Sequence, residues 1–279
     1  MLIACDENRD AVRRGYAAHT RVLRSCARLL RYTRRILTTL QELECYPAPE
    51  LVAWAVRTYG ASFAISNSFQ KEDMILVDLA SRAGGPFRVF TLDTGRLHEE
   101  TYRMMDTVRE RYGVRVEPAF PDRDEVERMV SSQGPNLFYS SIEARKLCCE
   151  VRKVHPLERK LAEFRAWATG LRREQTQARA GIRKAEETAG RLKLNPLADW
   201  TSAQIEEYTV SHHVPVHPLY AQGFASIGCA PCTRAIEPGE PERAGRWWWE
   251  QGGARECGIH FAPDGSVQRG SLRGNGNEG

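Results

Sequence analysis

The sequence predicts an α/β fold built on a parallel β-sheet flanked by helices. Between residues 50 and 118, short apolar segments alternate with longer segments of helical periodicity, and strands that alternate with helices pair in parallel. Polar loops follow the first two apolar segments. Because α/β folds bind ligands at the carboxyl ends of parallel strands, a ligand site is expected at that edge of the sheet.

Six elements are predicted in this region, namely helices over residues 50–59, 74–80 and 99–112 and strands over residues 62–66, 87–92 and 114–118. A later helix is expected to begin near Ser202, with Asp199 or Thr201 as its N-cap, and to end before His212. The histidines at positions 212, 213 and 217 have prolines nearby, which favours a turn over a metal site.

Changes in composition predict the domain organisation. Residues 1–46 form a basic extension, since the stretch from 11 to 40 carries eight arginines and no acidic residue. Leucines at helical spacing are compatible with an amphipathic helix there, and the arginine-rich, acid-poor composition also resembles a transit peptide. A poorly ordered extension, or a start codon assigned too early, is favoured over both. Residues 47–240 are expected to form the main domain. Residues 241–279 are expected to form a mobile C-terminal segment, in which glycines are frequent.

The composition is that of a cytoplasmic enzyme. The chain has 279 residues, of which 42% are hydrophobic, and a formal net charge of +4. It has no run of 18 apolar residues, so no membrane span is predicted. The charge is too small to indicate nucleic acid and suits a small anionic substrate. The start lacks an apolar signal region, and eight cysteines in this length do not predict a disulfide scaffold.

Three polar loops supply the candidate substrate-binding residues. The first follows the strand over 62–66 and leads into a helix, a layout that faces amides and a helix N-terminus toward an anion. It lacks the Gly-Lys-Ser/Thr of a Walker loop. The third, over residues 169–179, carries three arginines that suit phosphate or sulfate. The candidates are Ser66, Ser68, Asp73, Asp93, Thr94, Gly95, Arg96, Gly170, Arg172, Arg173, Gln175 and Arg179. Ordinary turn chemistry and a solvated basic loop are the alternatives for the second and third loops.

Two pairs of cysteines form a candidate metal site. Cys148 and Cys149 are adjacent, whereas Cys229 and Cys232 form a Cys-x-x-Cys pair. Four thiolates suit either zinc or an iron–sulfur cluster. Adjacent side chains on a helix point about 100° apart, so both reach one centre only if the centre is large or the backbone bends. A cluster is therefore favoured over zinc, and unrelated buried cysteines beside a redox or zinc pair are the third interpretation.

Cations surround the adjacent pair and also a fifth cysteine, Cys257. The cations beside the pair are Arg145, Lys146, Arg152 and Lys153, and an anionic thiolate cluster is stabilised by such neighbours. Arg255 and His260 lie within three residues of Cys257. Nearby positive charge lowers the pKa of a thiol, so Cys257 is a candidate nucleophile.

Eight blocks in fixed order carry a resemblance to a known family. They occupy residues 66–73, 92–96, 148–157, 170–175, 195–201, 229–234, 243–250 and 256–260. Over about residues 50–261 the chain resembles the assimilatory adenylyl-sulfate reductases of bacteria, which belong to the phosphoadenylyl-sulfate reductase family. The resemblance implies an ATP-pyrophosphatase-like fold, also called adenine nucleotide alpha hydrolase-like, as a single domain with a mobile C-terminal segment.

The resemblance also implies residue roles. Cys148, Cys149, Cys229 and Cys232 resemble the ligands of a [4Fe-4S] cluster, and Lys153 resembles the lysine that links cluster and substrate electrostatically. Cys257 resembles the nucleophile that attacks the sulfur of adenosine 5′-phosphosulfate, expels AMP and becomes an S-sulfonate. Arg243, Arg246 and His260 resemble the basic residues that close over the phosphosulfate. Thioredoxin, or a similar dithiol protein, would release sulfite.

Other functions stay open at this point. A reductase for the 3′-phosphorylated nucleotide is one, although that subfamily typically lacks the cluster cysteines. A nucleotide-binding zinc or redox regulator is another. A tRNA-thiolating relative would need an ATP loop of Gly-Gly-x-Asp-Ser type, which the sequence lacks. Plant relatives carry a thioredoxin-like domain after the reductase, so a separate donor protein is expected here. A homo-oligomer also stays open as the assembly of the chain.

Overall fold

The computed structural model describes residues 39–250 of the chain. The chain divides into two units, Met1–Leu43 and Glu44–Gly279, and the boundary falls within a short helix, α1 (Leu40–Glu44). Of the predicted basic extension over residues 1–46, residues 1–38 lie outside the described residues, and with them the arginine-rich stretch from 11 on except for its last two residues. The main fold belongs to the second unit.

A six-stranded sheet forms the centre of the second unit, in the order β3-β2-β1-β4-β6-β5. The strands are β1 (Phe63–Ser66), β2 (Arg88–Leu92), β3 (Val116–Ala119), β4 (Ala166–Ala168), β5 (Ala185–Thr188) and β6 (Arg191–Leu194). All neighbouring strands pair in parallel except β5, which pairs antiparallel with β6 at the edge. The predicted α/β fold with a parallel sheet is confirmed.

Helices connect and flank the strands. They are α2 (Ala48–Tyr59), α3 (Lys71–Ala83), α4 (Glu99–Tyr112), α5 (Arg123–Gln133), α6 (Ile142–Cys149), α7 (His155–Leu161) and α8 (Ser202–Ser211). The predicted bounds of α4 are confirmed. Thr201 caps α8, because its hydroxyl accepts the Gln204 N–H at 3.2 Å. The other candidate cap, Asp199, instead pairs with Lys184 at 2.7 Å.

Helix α3 begins earlier than the predicted residue 74. Its first turn contains Lys71, Glu72 and Asp73, whereas the prediction followed only the apolar stretch after them. Acidic residues in a first turn interact favourably with the helix dipole. The extra turn also brings two carboxylates to the loop that precedes the helix, where they take part in the site described below.

Strands β4, β5 and β6 are absent from the prediction. Strand β4 has only three residues, and β5 and β6 read Ala-Glu-Glu-Thr and Arg-Leu-Lys-Leu. Charged residues interrupt any apolar run in the last two strands. They join through Ala189 and Gly190, both at positive φ, which is the conformation of a tight hairpin turn.

Two apolar clusters position the site. Helix α7 and the residues after it pack Leu157, Leu161 and Phe164 against Phe90 and Trp167 of the sheet. The second cluster, here called the cysteine-side core, consists of Met129, Leu137, Phe138, Val151, Cys229, Cys232 and Trp247, with Cys148 packed against it. None of the helices in the described range 39–250 is long and apolar enough to cross a membrane.

Candidate active site

A cavity of about 620 Å³ lies at the carboxyl ends of β1, β2 and β4. Strands β2 and β3 extend the sheet on one side of β1, whereas β4 lies next to β1 on its other side. Such a reversal of strand order opens a crevice in which α/β proteins bind ligands. The volume falls within the range of pockets that hold small molecules and cofactors.

The loop after β1 is held in a fixed shape by its own side chains. Phe69 adopts a φ of 62°, which is uncommon for a residue with a side chain. The Asn67 side-chain oxygen accepts the Phe69 N–H at 2.6 Å, and Phe69 is fully buried. This local hydrogen bond and the burial of the Phe69 ring together stabilise the left-handed backbone conformation at residue 69.

Asp73 connects this loop to the loop after β4. Its carboxylate accepts the Ser68 N–H at 2.8 Å, the Ser68 hydroxyl at 2.6 Å and the Gly170 N–H at 2.9 Å. Burial raises the pKa of Asp73 to about 6, although the hydrogen bonds from Ser68 and Gly170 lower it and the charge of Glu72 raises it further. Asp73 thus fixes two strand ends relative to each other on the wall of the cavity.

Gly170 allows this close approach. A Cβ atom at position 170 would lie 2.6 Å from Asp73 Oδ1, 2.6 Å from Glu72 Cβ and 2.9 Å from the Asp73 backbone nitrogen. Two of these atoms belong to the start of α3 and cannot move independently of the helix. The close contact between the two loops therefore requires glycine.

Arg172 acts within the wall and does not line the cavity. Its side chain is only 3% exposed and donates to Glu72 at 2.9 Å and to Glu174 at 2.9 Å. Arg173 points elsewhere, donating to Glu44 at 2.6 Å and to the Ile182 carbonyl at 2.8 Å. Both arginines hold the third polar loop in place through ion pairs.

The second polar loop consists of residues 93–96, which follow β2, and of these only Thr94 lines the cavity. Asp93 accepts the Gly95 N–H at 2.8 Å and the Tyr102 hydroxyl at 3.0 Å. Gly95 adopts a φ of 69°. Arg96 donates to the Pro135 carbonyl at 2.6 Å, and its guanidinium lies over a nearby phenylalanine ring. These three residues shape the loop that presents Thr94.

Seven of the twelve candidate substrate-binding residues line the cavity: Ser66, Ser68, Asp73, Thr94, Gly170, Gln175 and Arg179. The other five lie outside the lining: Asp93, Gly95, Arg96, Arg172 and Arg173. The structure therefore divides the predicted set into residues that face the cavity and residues that support those residues.

The two cysteine pairs lie on short segments that meet beside this cavity. Cys148 and Cys149 end α6 and are followed by a π-helical turn, Glu150–Val154. Cys229 precedes the 3₁₀ turn that ends at Cys232. Cys229 Sγ lies 3.3 Å from the hydroxyl of Thr94, which lines the cavity. Short π-helical turns occur frequently at functional sites. Here the helix changes from α to π directly after the adjacent cysteines.

Burial and mutual repulsion disfavour the free thiolates at this place. Burial raises the pKa of Cys148, and so does Cys229, whereas Arg152, Lys153 and Arg96 lower it. Burial, with a contribution from Cys229, raises the pKa of Cys232 to about 12, and Lys153 lowers it. Three of the four thiols thus affect one another, and cations face them. Within residues 39–250, no group of three or more His, Cys, Asp or Glu residues is arranged to hold a metal ion.

Three of the five predicted catalytic residues line the cavity, namely Lys153, Arg243 and Arg246. Lys153 lies in the π-helical turn. Arg246 is buried and donates to the Ser226 hydroxyl at 3.3 Å and the Ile227 carbonyl at 3.4 Å. The remaining two, Cys257 and His260, lie outside the described residues.

Several lining residues were not predicted from the sequence. They include Asn67, Gln70, Glu72, Thr91, Thr169, Glu186, Lys193, Ser226 and Glu242. Lys193 and Glu186 face each other across β6 and β5 at 2.6 Å, so recognising that hairpin would have identified them. Burial, and secondarily the charge of Glu72, raises the pKa of Glu242. Its position directly before Arg243 was the available signal.

A nucleotide-sized cavity at a strand-order reversal, lined by cations and adjoining four cysteines, defines an α/β protein that acts on an anionic ligand with thiol chemistry nearby. The family model for the phosphoadenosine phosphosulfate reductase domain matches residues 62–235. The chain belongs to this family.

Curated relatives and one solved structure agree with this assignment. The chain is 52% identical over 198 residues to the adenosine 5′-phosphosulfate reductase of Burkholderia cepacia. The alignment covers 70% of this chain and 79% of the relative. The chain is 47% identical over 207 residues to the enzyme of that name from Allochromatium vinosum, covering 72% and 81%. The phosphoadenylyl-sulfate reductase structure from Candida auris, a phosphate complex, aligns with a TM-score of 0.58 and 26% identity, covering 69% and 92%.

Proposed function

We propose that the chain reduces adenosine 5′-phosphosulfate to sulfite and AMP, with electrons from thioredoxin or a similar dithiol protein. The observation that carries the proposal is the cavity at the strand ends, whose lining includes Lys153, Arg243 and Arg246 and which adjoins both cysteine pairs. The names of the bacterial relatives, at 47% and 52% identity, support this nucleotide as the substrate.

The lining has the chemistry that this substrate needs. Adenosine 5′-phosphosulfate carries negative charge on its phosphate and sulfate, and the cationic side chains of the cavity counter that charge. The AMP leaving group gains charge as its bond to sulfur breaks. Cations fixed in place before the reaction stabilise such a developing charge without rearranging.

Cys257 is the proposed nucleophile. Its thiolate attacks the sulfate sulfur, the bond from sulfur to the phosphate oxygen breaks, and AMP leaves with that electron pair. A thiolate of the donor then attacks Cys257 Sγ and expels sulfite, which leaves a mixed disulfide. The second donor thiol breaks the mixed disulfide, so the donor is oxidised by two electrons and Cys257 is restored. His260 is proposed to contribute positive charge around the phosphosulfate, together with Arg243 and Arg246.

The four thiols of the two cysteine pairs are the donor set of a [4Fe-4S] cluster, which is a larger centre than the single metal ion for which the described residues form no site. The four thiols come from two segments that meet at the cysteine-side core, and Lys153 acts electrostatically on both Cys148 and Cys232. Cys148, Cys149, Cys229 and Cys232 would hold the cluster through four thiolates. When bound, it would supply an anionic iron–sulfur centre next to the cations of the cavity. Lys153 also lines the cavity, so its charge acts on bound substrate as well. A cytoplasmic location suits cysteines that must stay reduced.

Sulfite release is the direct test. The full chain is incubated with thioredoxin and a thioredoxin-reducing system, and sulfite is measured with each of the two nucleotides. We expect kcat/KM to be higher for adenosine 5′-phosphosulfate than for its 3′-phosphorylated form. A higher value for the 3′-phosphorylated nucleotide would make the chain the other kind of reductase. Zinc in place of iron, with no sulfite from either nucleotide, would favour the regulator.

A further inference from the structure

A buried ion pair outside the cavity joins the two parts of the chain that meet at the cysteine-side core. Arg145 Nε donates to Glu250 Oε1 at 2.8 Å, and Arg145 Nη2 donates to Glu250 Oε2 at 3.0 Å. The two side chains are 4% and 6% exposed. Neither residue lines the cavity. Such a two-pronged contact fixes the relative orientation of both groups, as well as their distance.

The pair is connected to the cavity through one aromatic ring. The Arg145 guanidinium lies over the Trp247 ring at 4.6 Å from its centroid, and the Arg246 guanidinium lies over the same ring at 4.7 Å. Arg246 lines the cavity. Guanidinium groups are attracted to the faces of aromatic rings at these distances. A continuous series of contacts therefore runs from Glu250 through Arg145 and Trp247 to Arg246.

The backbone attaches the same segment to the second cysteine pair. The Trp247 N–H donates to the Cys232 carbonyl at 3.2 Å, and the Arg234 N–H donates to the Gly245 carbonyl at 3.0 Å. Trp247 has a φ of 44°, a strained value that persists only where the surroundings determine the conformation. Arg145 lies on α6, three positions before Cys148. Residues 245–250 thus contact both cysteine segments.

The chemistry of the pair indicates a role beyond stability. Replacing a buried ion pair with apolar residues of similar volume is often neutral or stabilising, because burial removes both charges from water. What the pair provides is a defined geometry. Glu250 also lies seven positions before Cys257 in the sequence, so the pair holds the place from which the chain leads to the proposed nucleophile.

We propose that Arg145 and Glu250 are positioning residues, which set the Arg246 guanidinium and the start of the C-terminal segment relative to the cysteine segments. The kinetic consequence of these positions rests on the proposed function. The pair is expected to affect the rate of attack on the substrate more than nucleotide affinity. A displacement of about 1 Å at a reacting group costs on the order of 100-fold in rate.

The test uses the full chain carrying Arg145→Met together with Glu250→Gln, which avoids leaving one buried charge unpaired. The rate of S-sulfonate formation on Cys257 is measured in a single turnover at saturating adenosine 5′-phosphosulfate without thioredoxin. We expect it to fall about 10- to 100-fold, with AMP affinity and iron content unchanged within about threefold. Arg145→Lys keeps the charge but loses the fork, so it should give an intermediate loss.

The matched control is Arg88→Met with Glu117→Gln. That pair also makes two contacts, but Arg88 lies at the start of β2, opposite the cavity end of the strand. We expect its S-sulfonation rate to stay within about twofold of the wild type. A double variant of the Arg145 pair that reacts within twofold would overturn the inference. So would a parallel loss of rate, AMP affinity and iron, which would make the pair a general structural element.

Amide hydrogen exchange separates this inference from the proposed function. Protection of the Arg246 and Trp247 backbone amides, which donate to the Arg243 and Cys232 carbonyls, should drop at least tenfold in the Arg145→Met/Glu250→Gln protein and stay unchanged in the control. If the wild type forms no S-sulfonate, the proposed function fails. The positioning claim is then decided by exchange alone, and unchanged protection in the double variant would overturn it.

Discussion

The nucleotide-side loops and the cysteine-side core treat their polar groups differently. In the loops, Asp73 accepts three internal hydrogen bonds and Arg172 lies between two carboxylates. In the cysteine-side core, Trp247 Nε1 is buried without a hydrogen-bond partner, as is Nε of the adjacent Arg246, and burial, together with the charge of Cys229, raises the pKa values of Cys148 and Cys232. The charge of Asp73 in the loops is thus stabilised by hydrogen-bond donors, whereas the thiols of the cysteine side destabilise one another as thiolates.

This contrast predicts different outcomes for mutations on the two sides. Changes in the cysteine-side core should abolish turnover and leave the nucleotide wall intact. Changes in the loops should weaken nucleotide binding and leave the cysteines unaffected. The following experiments either sharpen the distinction or break it, from the largest expected effect to the smallest.

Cys232→Ser should remove iron and abolish sulfite production. A serine hydroxyl is a poor replacement for a thiolate ligand, and the proposed cluster needs four thiolates. Iron content and visible absorbance report the loss directly. Cys45→Ser is the matched control, because Cys45 is exposed and does not belong to the cysteine-side core. Full iron and activity in the Cys232→Ser protein would disprove its assignment as a ligand.

Cys257→Ser should abolish turnover with iron retained. A serine hydroxyl is almost wholly protonated near neutral pH, so it cannot replace the thiolate as nucleophile. Mass spectrometry of the wild type with substrate and no donor should show one sulfonate on the peptide that holds Cys257. An adduct on a different cysteine, such as Cys45, would refute the proposed mechanism.

Gly170→Ala should weaken AMP binding at least about tenfold. The new Cβ would lie 2.6 Å from both Asp73 Oδ1 and Glu72 Cβ, and overpacking of this kind costs about 1–3 kcal/mol. Gly181→Ala is the control, since Gly181 lines the same cavity but its Cβ would meet nothing within 4 Å. Calorimetric AMP titration measures both. Equal affinities in the two variants would show that the close contact at Gly170 is unimportant for binding.

The sequence predicted the α/β fold, and seven candidate binding residues and three candidate catalytic residues line one cavity. It did not separate residues that face the cavity from those that support it, because the direction of a side chain in a loop has no sequence signal. Asp93 and Thr94 are adjacent polar residues, yet Asp93 accepts the Gly95 N–H within the loop and Thr94 lines the cavity. The β5–β6 hairpin was missed for a related reason. Lys193 and Glu186 face the cavity as an ion pair; β5 has one apolar residue, and the alternation of charged residues and leucines in β6 extends over only four positions. Arg145 was identified only as a cation near the cysteines, since its partner lies 105 positions away.

The smallest expected effect on nucleotide binding is a pH dependence that originates at Asp73. Its pKa in the folded protein is about 6, raised from 3.8, so the folded state binds more protons than the unfolded state between these values. The contribution of Asp73 to the free energy of unfolding therefore decreases as the pH rises from about 4 to about 6, by about 3 kcal/mol at most.

The affinity for AMP should follow the opposite trend with pH. The ionised carboxylate accepts the N–H groups of Ser68 and Gly170, and protonation of one oxygen weakens that connection between the loops. AMP affinity should thus fall a few-fold as the pH drops below about 6. Asp73→Asn should remove this pH dependence from both properties, and its AMP affinity should resemble that of the wild type at low pH. Denaturant unfolding and AMP titration across pH 4.5–7.5 measure the two trends. If stability and affinity change in the same direction with pH, relative to Asp73→Asn, the carboxylate does not connect the loops in the way described.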